Sequence, residues 1–228
     1  DSALTKIVDE TTNQIRKHAY QTPNYRIEDG ITMLDTPEGD LPIEIFGAHN
    51  LNNLAGAKWI CQHMGVDEND FYEAISTFKG ASKRLEKIYE TDSAVVFKDF
   101  AHSPSKVTAT VKAVNEQYPN KELIACLELH TFSSLTPEFI KEYKNSLNPA
   151  KKAVVFYSPE ALEIKKMELL SKEQILEAFG RQDLLVYTNA LEFQTYLRTL
   201  DYSEKAVLLM SSGNYGGLKF EEIKDWIS

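Results

Sequence analysis

The sequence is short of cysteine, of long apolar runs and of basic residues gathered in one place. Its two cysteines, Cys61 and Cys126, lie far apart without a C-x-x-C spacing, so we expect both to be reduced core residues. Apolar runs such as AVVFY and AVLLM are much shorter than the roughly 18 residues that a membrane span needs. The 25 basic side chains are scattered among 34 acidic ones, which gives a net charge of −9. We therefore expect a soluble, cytoplasmic protein that binds neither nucleic acid nor membrane.

Several functional motifs are absent as well. The five histidines show no H-x-x-x-H spacing and no nearby cysteine cluster, so no metal site is predicted. There is no G-x-x-G-K-[ST] loop to hold the phosphates of a nucleotide, and no G-x-S-x-G turn to carry a serine nucleophile. The start has neither an initiator methionine nor a signal peptide, so we expect the chain to be a piece of a longer protein.

What the sequence does contain changes character near Gly80. Before this glycine, residues 24–47 alternate apolar and polar side chains around the turn signals DG and PEG, which predicts antiparallel strands. Two helices are predicted next, one ending at Gly65 and the other beginning at Asp67. We place a domain boundary at Gly80, because the chain is long enough for two modest domains.

After Gly80 the sequence alternates strand and helix signals. A helix is predicted over 104–117, with Ser103 as its N-cap and Pro104 at its first position. The predicted strands are SAVVFKD, ELIACLEL, KAVVFYS, DLLVYT and KAVLLMSS, and the other predicted helices begin at Thr136 and Pro137, at Ser171, at 189 and near Leu218. Short apolar strands between helices predict an α/β fold in which a mostly parallel sheet is covered on both faces.

Three polar loops, DFAHSP, ELHTFSS and SSGNYGG, follow predicted strands at the sheet edge where such folds bind ligands. In the first loop, Asp99, His102 and Ser103 could form a binding site or could simply cap a helix, since Ser-Pro is an ordinary helix start. A Ser-His-Asp hydrolase is poorly supported, because residues on one turn rarely reach triad geometry. Asn50 and Asn53 lie three residues apart, so they either face one cleft together or serve as caps and surface polar residues.

Three segments, taken in order along the chain, carry a resemblance to one family. FGAHNLNNLAGA resembles a G-x-H-N-x-x-N-x-x-A segment, FKGASKRLEK an F-x-G-x-x-x-R-x-E stretch, and DFAHSPSKV a D-[YF]-[AG]-H-x-P loop. These are motifs of the Mur ligases. The resemblance implies a Rossmann-like C-terminal Mur ligase domain with a mostly parallel sheet over 81–228. It also implies that residues 1–80 are the tail of the central, ATP-binding domain.

The resemblance further implies a chemistry, in which ATP activates a carboxyl group as an acyl phosphate that an amine then attacks. Magnesium ions (Mg²⁺) are expected to be held by the missing N-terminal part. By motif match, Arg84 would be the catalytic cation that stabilises the transferring phosphoryl group. Asp99 would accept hydrogen bonds from the ribose hydroxyls. The other cofactor-binding residues that the motifs imply are Asn50, Asn53 at the adenine, and His102, while His49 carries less weight.

The ending VLLMSSGNYGG resembles the M-S-N-G-x-F-G-G ending of the murein peptide ligase branch. That branch joins UDP-N-acetylmuramate to the peptide L-Ala-γ-D-Glu-meso-diaminopimelate in peptidoglycan recycling. Ser134 stands where the alanine-adding branch has an arginine, although the recycling branch often has an arginine at the position of His130. The alternatives are a UDP-N-acetylmuramate–L-alanine ligase, a folylpolyglutamate-type ligase, and a non-catalytic nucleotide- or peptide-binding module. The predicted acceptor-binding residues are His130, Thr131, Ser133 and Asn214.

Overall fold

A small antiparallel sheet lies near the amino-terminal end of the structure, a computed structural model that describes residues 2–14, 16–159 and 170–227. Its strands, in spatial order, are β1 (Tyr25–Glu28), β2 (Ile31–Thr36) and β3 (Gly39–Ile43). Asp29 and Gly30 join β1 to β2 with φ values of 48° and 78°, the left-handed backbone that tight hairpins require. The predicted antiparallel strands and their first turn are therefore confirmed.

Three helices belong to this part of the chain: α1 (Ser2–Glu10), α2 (Ala48–His63) and α3 (Glu68–Ser76). Asp67 begins α3 as predicted, because its carboxylate accepts the backbone N–H of Asn69 at 2.8 Å. Leu51 and Leu54 of α2 pack with Phe71 of α3 in a small core under the sheet. This core fixes which face of α2 is turned away from the sheet.

The second sheet has six strands in the order β4-β5-β9-β6-β7-β8. All neighbouring pairs are parallel except β4 with β5, so the predicted mostly parallel sheet is confirmed. The first strand, β4, was not predicted, because its sequence EKIYE is a half-exposed edge strand without an apolar run. The strands are β4 (Glu86–Glu90), β5 (Ala94–Asp99), β6 (Glu122–Glu128), β7 (Lys152–Phe156), β8 (Leu185–Tyr187) and β9 (Lys205–Met210).

Helices cover both faces of this sheet, with a separate buried core on each face. They are α4 (Pro104–Gln117), α5 (Lys172–Phe179) and α6 (Ala190–Arg198). The predicted bounds of α4 are confirmed, and α5 begins at a capping box on Ser171 and ends at the left-handed Gly180, as its sequence indicated. No helix in the described part of the chain is long and apolar enough to cross a membrane.

Two helix predictions were wrong in type. The segment after Thr136 forms a short 3₁₀ helix at Ile140–Tyr143 followed by turns, not an α-helix. Its buried residues mimic a helical spacing, but Asn145 has a φ of 65° and interrupts the helical backbone. The segment after Leu218 is likewise a 3₁₀ helix, Phe220–Asp225, in which each turn closes over three residues.

Buried contacts join the two sheets across α4. The Gln117 side chain accepts a hydrogen bond from the Thr32 hydroxyl at 3.2 Å and donates one to the Gly30 carbonyl at 2.7 Å. Gly47 lies so close to α4 that a Cβ there would be 2.6 Å from the Cβ of Ala113. These contacts hold the two parts of the chain tightly together. The division into two domains at Gly80 stays a prediction.

Candidate functional site

A cavity of about 720 Å³ lies between α2, the linker around Gly80 and the start of α4. Four residues predicted to bind the nucleotide or act on it are in its wall, although they are spread over fifty positions of the sequence. They are Asn50, Asn53, Arg84 and Asp99, and His49 lies there too. The structure therefore brings the three resembling segments together at one place.

Asp99 ends β5 and is almost fully buried, with 4% of its surface exposed. One carboxylate oxygen accepts the backbone N–H of Leu85 and the other that of Ala101, each at 2.6 Å. Burial raises the pKa of Asp99 above its ordinary value, even though both hydrogen bonds act in the opposite direction. A carboxylate has about four acceptor positions, so the two that remain are available to a pair of ligand hydroxyls.

His49 and Arg84 are the titratable neighbours of Asp99. Burial lowers the pKa of His49, and the charge of Arg84 lowers it further, against the opposing effect of Asp99. The imidazole is therefore neutral at pH 7 and can accept a hydrogen bond. Arg84 is exposed, with its guanidinium carbon 5.8 Å from the centre of the Phe100 ring. It forms no ion pair with any residue that the structure describes, so its charge is available to an anion.

The asparagines of α2 differ in how they are held. The Asn50 side chain donates a hydrogen bond to the Phe46 carbonyl at 3.1 Å, which fixes its orientation and leaves its amide oxygen as an acceptor. Asn53 is exposed one turn further along the same face. The two side chains together can therefore offer amide donors and acceptors to a flat, polar ring such as a nucleobase.

His102 and Ser103 do not lie in the wall of this cavity. The His102 ring nitrogen Nδ1 is 2.8 Å from the Phe100 carbonyl, and the His102 carbonyl accepts the Tyr143 hydroxyl. Ser103 occupies the N-cap position of α4 as predicted, but its side chain makes no capping hydrogen bond. A nucleotide contact by His102 thus stays a prediction that depends on the resemblance alone.

Sequence reasoning missed two cations of the wall, Lys79 and Lys106. Lys79 belongs to the linker, and Lys106 lies in the first turn of α4 beside the buried Thr110. Neither lysine forms an ion pair within the described residues. Exposed lysines follow no periodic pattern, so only their proximity to the motif residues could have indicated them.

The two predicted acceptor loops meet at the adjacent ends of β6 and β9, around the buried carboxylate of Glu128. This carboxylate accepts the Ser211 hydroxyl and, at 2.9 Å, the backbone N–H of Tyr215, and it lies 3.6 Å from Nδ1 of His130. Gly213 packs against both groups, since a Cβ there would be 2.8 Å from that His130 nitrogen. Glu128 was missed because it ends an otherwise apolar strand.

The remaining predicted acceptor residues differ in position. Thr131 and Ser133 serve the local turn, in which the Thr131 hydroxyl oxygen accepts the Ser134 backbone N–H at 3.3 Å and lies 3.4 Å from the Ser133 hydroxyl. Asn214 is exposed, and its side-chain oxygen accepts the Gly217 backbone N–H at 3.1 Å. The structure therefore brings His130 and the loop of Asn214 together. The hydroxyls of Thr131 and Ser133 stabilise the turn after β6.

The wall residues do not match the ligand set of Mg²⁺. Among the residues that the structure describes, no three histidine, cysteine, aspartate or glutamate side chains are grouped to hold a metal ion. The acids of the cavity wall are Glu44 and Asp99, and both oxygens of Asp99 already accept backbone N–H groups.

Comparison with known proteins finds a curated relative of similar sequence. No family model matches the chain. A UDP-N-acetylmuramate–L-alanine ligase from Christiangramia forsetii is 29% identical over 86% of this chain, which covers 44% of that relative. The chain thus spans less than half the length of this curated relative.

Solved structures share the fold. A UDP-N-acetylmuramate–alanine ligase from Thermotoga maritima superposes with a TM-score of 0.61 at 16% identity, over 81% of this chain and 40% of that one. A murein peptide ligase from Psychrobacter arcticus superposes with a TM-score of 0.54 at 22% identity, over 86% of this chain and 40% of that one. The chain is thus similar in sequence to a UDP-N-acetylmuramate–L-alanine ligase, and it shares an α/β fold with the two solved structures.

Proposed function

We propose that this chain forms the nucleotide cleft and the acceptor side of an ATP-dependent ligase that joins the carboxyl group of UDP-N-acetylmuramate to an amine. The observation that carries the proposal is the convergence of Asn50, Asn53, Arg84 and Asp99 on one cavity. Its volume of about 720 Å³ lies within the range typical of cofactor sites, roughly 300–1,000 Å³. Bound ATP would supply the phosphoryl group that activates the carboxyl as an acyl phosphate.

Each wall residue has a role that its surroundings allow. Asp99 holds the ribose diol with the two acceptor positions that its backbone hydrogen bonds leave open. Asn53 contacts the base from α2, and the fixed Asn50 presents its amide oxygen beside it. Arg84 stabilises negative charge on the phosphoryl group, a role that suits an exposed guanidinium without an ion-pair partner among the described residues.

The amine acceptor has two candidates. The curated relative from Christiangramia forsetii is named a UDP-N-acetylmuramate–L-alanine ligase, which favours L-alanine. The resemblance of SSGNYGG to the recycling branch favours the preformed peptide L-Ala-γ-D-Glu-meso-diaminopimelate. A coupled assay of the full-length protein with UDP-N-acetylmuramate and ATP, offering L-alanine and the peptide separately, distinguishes the two by which amine increases phosphate release.

Nucleotide binding by the chain itself tests the proposal directly. Calorimetric titration with ADP should give saturable binding, and Asp99→Asn should weaken it about tenfold, because the amide replaces one acceptor oxygen with a donor. Asp92→Asn, which changes an exposed turn residue before β5, is the matched control and should bind ADP like the unaltered chain. If Asp99→Asn binds ADP as tightly as the control while the fold is intact, Asp99 is only a structural residue and the proposed cleft is wrong.

A further inference from the structure

A second, smaller cavity of about 210 Å³ opens at the carboxyl ends of β5 and β9. It shares Asp99 with the larger cavity, and it shares Ser211 and Gly213 with the cluster around Glu128. Two lysines, two serines and the backbone of a glycine-containing loop make up its polar wall. These residues are Lys83, Lys98, Ser211, Ser212, Gly213 and Asn214.

The two lysines of this cavity have no acidic partner. Lys98 is half-buried at the end of β5, with its ammonium group 4.4 Å above the centre of the Phe220 ring. Glu86 lies directly opposite it in the sheet, but that carboxylate accepts the backbone N–H of Lys83 at 2.7 Å and the Ser82 hydroxyl at 3.3 Å. Neither ammonium group forms an ion pair with another described residue.

The side chains of this wall therefore carry a net positive charge. Its one carboxylate, Asp99, already accepts two backbone N–H groups, whereas the ammonium groups of Lys83 and Lys98 have six N–H donors between them. The Lys98 ammonium group faces an aromatic ring and not a carboxylate, so its N–H donors are available to an anion.

Ser212 supplies an independent observation. Its hydroxyl is buried, and it has no hydrogen-bond partner in the described part of the chain. Buried polar groups are nearly always hydrogen-bonded, so an orphan hydroxyl in a cavity wall indicates a partner from outside the chain. Its neighbour Ser211 is, by contrast, fully engaged with Glu128 and with the backbone N–H of Gly213 at 2.6 Å.

We propose that this cavity binds a small oxyanion, a carboxylate or a phosphate, through Lys83, Lys98 and Ser212. Its volume is less than a third of that of the nucleotide cavity, which limits the ligand to a small group. Two cations and a hydroxyl donor match the acceptor oxygens that both kinds of oxyanion present. The proposal depends on the geometry of this cavity and not on the proposed function of the larger one.

The test is an NMR titration of the isotope-labelled chain with inorganic phosphate and, separately, with acetate, at constant ionic strength balanced with chloride. The backbone amide signals of Ser212, Gly213 and Asn214 should shift and saturate with the preferred anion. Tighter binding of phosphate identifies a phosphate site, and tighter binding of acetate identifies a carboxylate site. Lys98→Met should raise the half-saturating anion concentration about tenfold, and Ser212→Ala about threefold.

Two control variants separate a built site from general electrostatic attraction. Lys87→Met removes a lysine from the neighbouring edge strand β4, and Ser146→Ala removes another buried hydroxyl without a described partner, far along the sequence. Both should bind the anion like the unaltered chain, and thermal melts should show all four variants folded. Failure of both anions to saturate the signals, or equal weakening by Lys98→Met and Lys87→Met, would overturn the proposal.

Discussion

Asp99 and Glu128 are two buried carboxylates at the same edge of the sheet, yet their surroundings differ. Asp99 accepts only backbone N–H groups, and it lies beside cations that have no ion-pair partner in the described chain. Glu128 accepts a hydroxyl and a backbone N–H from the loop after β9, and it lies against His130. Each carboxylate accepts two hydrogen bonds. Those of Glu128 hold the loop after β9, whereas those of Asp99 hold the backbone of Leu85 and Ala101. The comparison teaches that burial of an acid does not by itself mark a binding residue.

The largest effect on stability is expected from Glu128→Ala, which removes the carboxylate that holds the loop after β9. It leaves the Ser211 hydroxyl and the Tyr215 backbone N–H without their acceptor, at about 1–3 kcal/mol for each unsatisfied group. We expect the free energy of unfolding to fall by about 3 kcal/mol in urea titrations. Glu116→Ala, on the exposed side of α4, should change it by less than about 0.5 kcal/mol. A loss for Glu128→Ala no larger than the control would show that Glu128 does not hold the loop.

A smaller loss of unfolding free energy is expected from Gly213→Ala, which tests the close packing around Glu128. The new methyl group would lie 2.8 Å from the His130 ring and 2.9 Å from a Glu128 oxygen, so the loop must shift. Overpacking of this kind costs about 1–3 kcal/mol, and we expect the low end because the His130 ring can move aside. Chemical denaturation measures the loss. Unchanged stability with unchanged amide shifts at residues 211–217 would contradict the close packing.

The pH dependence of stability tests the other acid. Burial raises the pKa of Asp99 in the folded state, so over the range above its ordinary value the folded chain binds more protons than the unfolded one. Its contribution to stability is therefore present at low pH and is lost as pH rises through the folded pKa. The free energy of unfolding of the unaltered chain minus that of Asp99→Asn should fall as pH rises from about 4. A difference that is flat, or that increases with pH, would show that burial does not dominate at Asp99.

The smallest effects are expected from two serines at helix starts. Ser171 forms both hydrogen bonds of a capping box at α5, whereas Ser103 forms no capping bond at α4. Ser171→Ala should therefore lower the free energy of unfolding by about 1 kcal/mol, and Ser103→Ala by less than about 0.5 kcal/mol. Thermal melts of the two variants side by side measure the difference. Equal losses would mean that Ser103 does cap α4 in solution.

Much of the fold could be predicted from the sequence because its strands are short apolar runs and its helices have clear ends. Ser171 and Gly180 bound α5, and Pro104 begins α4, each through local chemistry that needs no tertiary contact. The 3₁₀ segments could not be predicted, since the left-handed backbone of Asn145 depends on packing that local sequence does not encode. The edge strand β4 was not predicted for a similar reason, because its extended structure depends on pairing with β5.

The candidate site was predictable only where motifs carried it. Asn50, Asn53, Arg84 and Asp99 belong to segments with a recognisable order, and the structure places all four in one wall. The sequence did not indicate Lys98 or Ser212 as binding residues. In the described part of the folded chain, Lys98 has no ion-pair partner and the Ser212 hydroxyl has no hydrogen-bond partner. Such an absence becomes visible only when every neighbour of a side chain is known.

Helix α4 connects the small sheet to the larger cavity. Lys106 and Thr110 near its start face the cavity, and Gln117 at its end is held by the hairpin through Thr32 and Gly30. At about 1.5 Å per residue, Lys106 and Gln117 are separated along the helix by roughly 17 Å. A rotation that separated the two sheets would have to break the hydrogen bonds of Gln117. We therefore expect the hairpin to resist widening of the cavity from the far end of α4.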